Sequence, residues 1–179
     1  ALVTTDGFTD VLEIGRQDRP NLYDQSVARP EPLVPADRRY GVDERATVEG
    51  IERAVDTDAV RDLAADIDAE AVAVALLHAY AHPENERRVA AVLREELDVP
   101  VSASHEVLSA FREYERTATT VADAFVTPAL STYLGQLVED AAELGLPEPR
   151  VMQSNGGIAA VETVREHAVT TALSGPAAG

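Results

Sequence analysis

Apolar positions recur along this 179-residue chain with two different periods. Ala71 to Leu77 contains nothing but Ala, Val and Leu, the pattern of a strand buried on both faces. Ala1 to Thr5, Val99 to Ala103 and Val151 to Gln153 are shorter segments of the same kind. Between them the spacing is helical. Thr9 to Ile14 forms a short helical stretch with Phe8, Val11, Leu12 and Gly15 on one side, and a helix is predicted over Asp58 to Asp66. Pro83 opens the next helix, lined by Val89, Val92, Leu93 and Leu97, with Glu84 and Glu86 placed to suit the dipole of its first turn. From Glu115 to Leu144, Val121, Phe125, Leu130, Leu134, Leu137, Val138 and Ala141 recur near 3.6 residues. Pro128 should break or kink that helix, with Thr127 as a new N-cap, and Gly145 and Pro147 end it. Val161 to Leu173 is a further helix. Residues 16 to 43 are mostly irregular, punctuated by Pro20, Pro30, Pro32 and Pro35, and Arg38 to Val48 is a possible hairpin. Strands alternating with helices predict an α/β fold with a largely parallel central sheet and flanking helices.

Composition narrows the chemistry. Asp and Glu number 32 against 15 basic residues, a formal charge of −17 at pH 7. That excludes binding nucleic acid by phosphate neutralisation and argues against docking on anionic membrane. No apolar run is long enough to span a bilayer and no segment resembles a signal peptide, so a soluble, cytoplasmic protein is expected. The chain has no cysteine, and all 15 basic residues are arginine. A thiolate metal site, a cysteine nucleophile, a Walker A lysine and a Schiff base are therefore impossible within it. Many acids, no lysine and a core of small Ala and Val fit a chain made for molar salt, where the Debye length falls to about 3 Å and self-repulsion is screened. The first residue is Ala and the last six are Ser174-Gly175-Pro176-Ala177-Ala178-Gly179, so both ends read as cuts in a longer protein.

Ligands bind open parallel sheets at the carboxyl ends of strands, and three segments follow predicted strands directly. They are Thr4-Thr5-Asp6-Gly7, Ser104-His105-Glu106 and Ser154-Asn155-Gly156-Gly157. The last carries the strongest signal, because paired glycines let the backbone approach a ligand and can present successive N–H groups to an anion. A tight turn between strand and helix is the plainer reading. Ser174 to Gly179 would likewise suit a phosphate over a helix N-terminus, or be an ordinary loop. His105 and Glu106 could supply a metal ligand or a general acid and base, although neighbours on a strand face opposite ways. His78 and His82 flank a strand end outside any one helix, which does not make a metal site. Arg112-Glu113-Tyr114-Glu115-Arg116-Thr117 reads as a solvated charged face, while Arg beside Tyr also suits a carboxylate or carbonyl substrate.

Together these segments resemble the hydantoinase/oxoprolinase family, in its ATP-dependent N-methylhydantoinase A-type subunit. The resemblance is carried by Leu2 to Gln17, Ser104-His105-Glu106-Val107-Leu108, Phe111 to Thr117, Met152 to Ile158 and Ser174 to Gly179, in the family's order. It implies part of an actin, sugar-kinase and Hsp70-like ATPase fold. Residues 1–115 would be the C-terminal part of the family's N-terminal region, and residues 116–179 the start of its hydantoinase A domain. The implied activity is ATP-dependent opening of a cyclic amide such as hydantoin or 5-oxoproline, through phosphorylation of a carbonyl oxygen. A subunit of an ATP-dependent ketone carboxylase and a non-catalytic binding or assembly module are the alternatives. ATP, a divalent cation such as Mg and a hydantoinase B-type subunit are the implied partners. His105, Glu106, Arg112, Tyr114 and Arg116 would lie towards substrate or a domain interface, while Ser154, Asn155, Gly156, Gly157, Ser174, Gly175 and Gly179 would line the nucleotide region. The family's Asp-x-Gly-Gly-Thr loop does not occur in these 179 residues, so the chain by itself is not expected to hydrolyse ATP.

Overall fold

The computed structural model describes residues 1–17, 23, 26, 31–172 and 174–178. The order is β1 (Leu2–Thr5), α1 (Val11–Ile14), a 3-10 turn (Ala36–Arg38), β2 (Arg39–Val42), β3 (Arg45–Thr47) and β4 (Gly50–Arg53). There follow α2 (Thr57–Ala64), β5 (Val72–Ala75), α3 (Glu84–Glu96), β6 (Val101–Ala103), α4 (Ser104–Val107) and α5 (Glu113–Glu143). The last elements are β7 (Arg150–Met152), β8 (Ile158–Ala160), α6 (Val161–Glu166), a second 3-10 turn (Ala168–Thr171) and α7 (Ser174–Ala178).

Four strands form a sheet in the order β2-β1-β5-β6, and every pairing in it is parallel. The predicted α/β class and parallel sheet are therefore present. Period-two alternation sorts its residues. Val3, Val72 and Val74 point to α2 and α3, where they meet Val60, Ala64, Val89 and Leu93. Leu2, Ala73 and Ala75 point the other way, onto Leu12 of α1 and Val121 and Ala124 of α5. Small residues on this second face let the long helix lie close to β5. Asp56 caps α2, its carboxylate accepting the Asp58 N–H at 2.9 Å.

Several expectations need correction. Arg39–Val42 is not half of a hairpin but lies parallel to β1, with Val3 opposite Tyr40. Gly41 permits this, because a Cβ there would sit 2.8 Å from Asp6 Oδ1. The hairpin comes next, β3 against β4. Pro128 does not divide the long helix: α5 runs 31 residues through it. Thr127 is not an N-cap but sits inside the helix, its hydroxyl donating back to the Asp123 carbonyl at 2.7 Å. Each half is held by its own cluster, the first on the sheet and the second through Leu134 on Val161 and Val164. That packing offsets the roughly 3 kcal/mol a mid-helix proline costs. The predicted helix over Val161 to Leu173 is two pieces, α6 and the second 3-10 turn, because the Thr170 and Thr171 hydroxyls bond the His167 and Ala168 carbonyls and favour a tighter turn. Of residues 16 to 43, those at 36–42 form the first 3-10 turn and β2, and part of the rest lies outside the described residues. No helix among the described residues is long and apolar enough to cross a membrane.

Candidate functional site

Because the four strands are parallel, their carboxyl ends share one edge, and the sequence places polar residues there. Thr4, Thr5, Ser102 and Ser104 are all buried at or beside it. Such groups must find partners, since an unpaired buried donor or acceptor costs about 1–3 kcal/mol. Two carboxylates supply most of them. Glu44, after β2, accepts from the Thr5 hydroxyl and from Asn85 Nδ2, the latter at 2.7 Å. Asn85 in turn bonds Val55 N–H and the Arg53 carbonyl, tying α3 to the segment after β4.

Glu86 is the centre of the second set and has no exposed surface. Its Oε2 accepts the Leu76 N–H at 2.7 Å, just past the end of β5. Its Oε1 accepts the His105 N–H and lies against His105 Nδ1, both at 2.7 Å. The Ser104 hydroxyl donates to the same carboxylate at 2.8 Å. One side chain from the first turn of α3 thus joins the ends of β5 and β6. The pairing of Nδ1 with a carboxylate leaves Nε2, which lies 3.7 Å from Glu106 Oε1, as the imidazole nitrogen able to exchange a proton with a ligand.

Arg116, from the first turn of α5, is also without exposed surface. Its guanidinium donates to the Leu76 carbonyl at 2.6 Å, the Ala110 carbonyl at 3.1 Å and Ser104 Oγ at 3.1 Å. Glu113 pairs with it, and Tyr80 presents its ring 5.6 Å from the guanidinium carbon. A charge so buried persists only with this degree of pairing. Beside it His78 holds φ +54, a conformation rare for a non-glycine residue, and its Nδ1 is buried without a partner among the described residues.

The candidate residues therefore divide. His105 and Arg116 belong to one network, joined through Ser104 and Glu86. Arg116 and Thr117 are buried, so the reading of that stretch as a solvated face is overturned at these two positions. His105 and Glu106 lie on α4 rather than on a strand. Glu106 turns to Arg94, 2.6 Å away. Burial pushes its carboxyl up, but Arg94, His105 and His167 together hold it below the ordinary value. Arg112 is exposed beside Glu115 and over the Phe111 ring, and Tyr114 packs into the core beside Leu12 and Val121. His82 bonds the Val48 carbonyl, and the described residues contain no group of three or more His, Asp or Glu placed to hold a metal ion.

Ser154 to Gly157 does not follow a strand of the central sheet. It is the turn between antiparallel β7 and β8, which pair apart from that sheet. Gly156 has φ +81 and open space where a Cβ would stand. Three of the turn's four N–H groups are engaged internally: Ser154 with the Thr170 carbonyl, Gly156 with the Gln153 carbonyl and Gly157 with Asn155 Oδ1. The turn is thus not a ready-made row of free donors. Ser174 and Gly175 lie in α7, which packs against β7, while Gly179 lies outside the described residues.

Sequence reasoning missed Glu86, Glu44 and Asn85. Glu86 had a signal: it precedes Val89, Ala90 and Leu93 by three, four and seven residues, the buried face of α3. Glu44 had none, since its burial depends on strands distant in sequence.

The family model described as the hydantoinase/oxoprolinase N-terminal region matches residues 1–97, and the hydantoinase/oxoprolinase model matches residues 116–179. The caprolactamase subunit alpha of Pseudomonas jessenii is 36% identical over 98% of this chain and 26% of its own length. The crystal structure of that ATP-dependent caprolactamase superposes with a TM-score of 0.82, covering 99% of this chain and 27% of that one. The 5-oxoprolinase of Saccharomyces cerevisiae is 29% identical over all of this chain and 16% of its own length. The nucleotide-free structure of acetone carboxylase, which carries out ATP-dependent acetone carboxylation, gives a TM-score of 0.82 at 30% identity, over 99% of this chain and 27% of that one. The chain thus spans about a quarter of the length of its caprolactamase relative.

Proposed function

The chain belongs to the hydantoinase/oxoprolinase family, and on that premise we propose that the protein carrying it is an ATP-dependent hydrolase of cyclic amides. The observation that carries this reading is the Glu86–His105 pair at the carboxyl edge of a parallel sheet, in a fold shared with an ATP-dependent caprolactamase. An imidazole whose Nδ1 is held by a buried carboxylate can take a proton at Nε2 from attacking water, or deliver one to the amide nitrogen leaving an opened ring. Glu86 and Ser104 position that ring, and Arg116 locks the floor beneath it. In this reading residues 1–115 close the family's N-terminal region and residues 116–179 begin its hydantoinase A domain. The whole would be an actin-like ATPase.

ATP in the intact protein would supply carbonyl activation by phosphorylation. The residues present do not by themselves fit a triphosphate, because three of the four N–H groups of the Gly156 turn are already engaged. The described residues likewise offer no cluster for its divalent cation. What this chain contributes to that region is an open approach at Gly156 and the exposed Ser154 and Asn155. The relative's designation as a subunit supports a partner chain, which we take to be of the hydantoinase B type.

A ketone carboxylase subunit is the second reading, favoured by the likeness to acetone carboxylase. The test is ATP turnover by the full-length protein, with any partner subunit, on hydantoin, 5-oxoproline and caprolactam, and on ketones with bicarbonate. The assay belongs in molar potassium chloride, given the charge of −17 and our reading of a salt-adapted chain; equal melting temperatures in dilute and molar salt would remove that adaptation. Ring-dependent ADP release is expected. Turnover dependent on ketone and bicarbonate would establish the second reading instead, and turnover indifferent to every substrate would overturn both.

A further inference from the structure

A cleft of about 580 Å³ lies against β6, and its wall residue Glu106 stands 3.7 Å from His105 Nε2. β6 is at one end of the sheet order, and the cleft runs from this strand to the end of α6. Its charged and polar walls are Arg94, Ser102, Glu106, Thr127, Arg165 and His167. The two hydroxyls are engaged elsewhere, Ser102 with Asp123 Oδ2 and Thr127 with the Asp123 carbonyl. The groups left to meet a ligand are therefore two guanidiniums and an imidazole, against a single carboxylate. In a chain where acids outnumber arginines about two to one, this wall reverses the balance.

Two of these side chains carry a buried nitrogen with no hydrogen-bond partner among the described residues, Arg165 at Nε and His167 at Nδ1. A guanidinium N–H left in that state is costly, and more so than a neutral donor. Arg165 keeps a long contact to Glu162 through Nη1, at 3.5 Å, which leaves the Nε edge unanswered. Arg94 is already oriented, one nitrogen on the Val101 carbonyl at 2.9 Å and the guanidinium across Glu106. Arg94, His105 and His167 all lower the Glu106 carboxyl against the effect of burial, so all three fields reach the cleft wall.

We propose that this cleft binds a small oxyanion, a carboxylate or a phosphate, between Arg165, His167 and Arg94. The volume exceeds what a single water occupies by more than tenfold, room for a small organic acid or a phosphate-bearing group. The exposed part of the Arg165 guanidinium and the His167 imidazole would donate to the ligand's oxygens, and Arg94 would share its charge between ligand and Glu106. This site needs none of the ring-opening chemistry proposed above.

Calorimetric titration of the full chain with inorganic phosphate and, separately, with acetate tests it, at fixed potassium chloride concentration. Saturable one-site binding of at least one of the two is expected. Phosphate alone binding assigns a phosphate-bearing ligand, and acetate alone assigns a carboxylate. Arg165→Gln should weaken binding about tenfold, the loss of one charged donor. Glu106→Gln should tighten it several-fold, by removing the one negative charge from the wall. Diffuse surface attraction would give the same two signs but neither saturation at one site nor a tenfold loss from one arginine, so stoichiometry and size of effect carry the assignment. No saturable heat with either anion, or equal affinity in the wild type and both variants, would overturn the proposal.

Discussion

Removing the Glu86 carboxylate should be among the most damaging single changes available to this fold. Glu86→Ala leaves the Leu76 and His105 backbone N–H groups and the His105 ring without their acceptor, at a position with no exposed surface. At about 1–3 kcal/mol for each stranded donor, and with some relaxation by Ser104, the loss should be about 3–5 kcal/mol. For a chain of this size that lowers the melting temperature by about 6–20 °C. Glu86→Gln preserves shape but replaces one oxygen with an NH2, which must face either Leu76 N–H or the His105 donors. It should fall between wild type and Ala, at about 1–3 kcal/mol. Urea unfolding of the full chain in molar salt, followed by circular dichroism, measures both. An Ala variant within 1 kcal/mol of wild type would refute the claim that this carboxylate holds β5 and β6 together, as would a Gln variant less stable than Ala.

Two further outcomes follow from local geometry. Gly41→Ala places a methyl carbon 2.8 Å from Asp6 Oδ1 and 3.0 Å from Asp6 Cα, so β1 and β2 must separate; a loss of about 1–3 kcal/mol is expected in thermal melts, and an unchanged melting temperature would contradict it. The lowered Glu106 carboxyl contributes stability that is complete above its unfolded value, near 4.5, and lost as pH falls through the lower folded value. Arg94→Gln should therefore cost stability near neutral pH by a margin that shrinks in acid, and a margin that stays constant between pH 3 and 7 would refute that origin.

The parts of the site that could be read from the chain are those whose geometry is local. Ser104 and His105 follow a strand, and the parallel sheet carries them to its carboxyl edge as expected. Gly156 does sit in a turn with positive φ. What could not be read is which partner each group would find. The engagement of the Gly157 N–H by Asn155 Oδ1 is itself short-range, yet it reverses the expected role of the turn, because a side chain two residues away takes the donor first. Arg112, Tyr114 and Arg116 lie within about one turn of one charged stretch but go to solvent, to the core and to the buried network respectively. Helical spacing separates their directions without saying what stands in each.

Hydrophobic period alone determined the α/β class, a strand within Ala71 to Leu77 (formed at Val72–Ala75) and the apolar face of α3, since burial of one face or two leaves a repeat of 2 or 3.6 residues in the chain itself. On α5 it failed at Phe125, which is 82% exposed. Composition determined that thiolate and lysine chemistry are closed to it. Tertiary structure decided the rest. It took Arg39–Val42 into the central sheet, carried α5 unbroken through Pro128, and drew Glu44, Glu86 and Arg116 out of water. Each of these outcomes depends on contacts between segments tens of residues apart. Burying a charge is favourable only when its partners arrive from elsewhere in the fold, and no local pattern records that meeting.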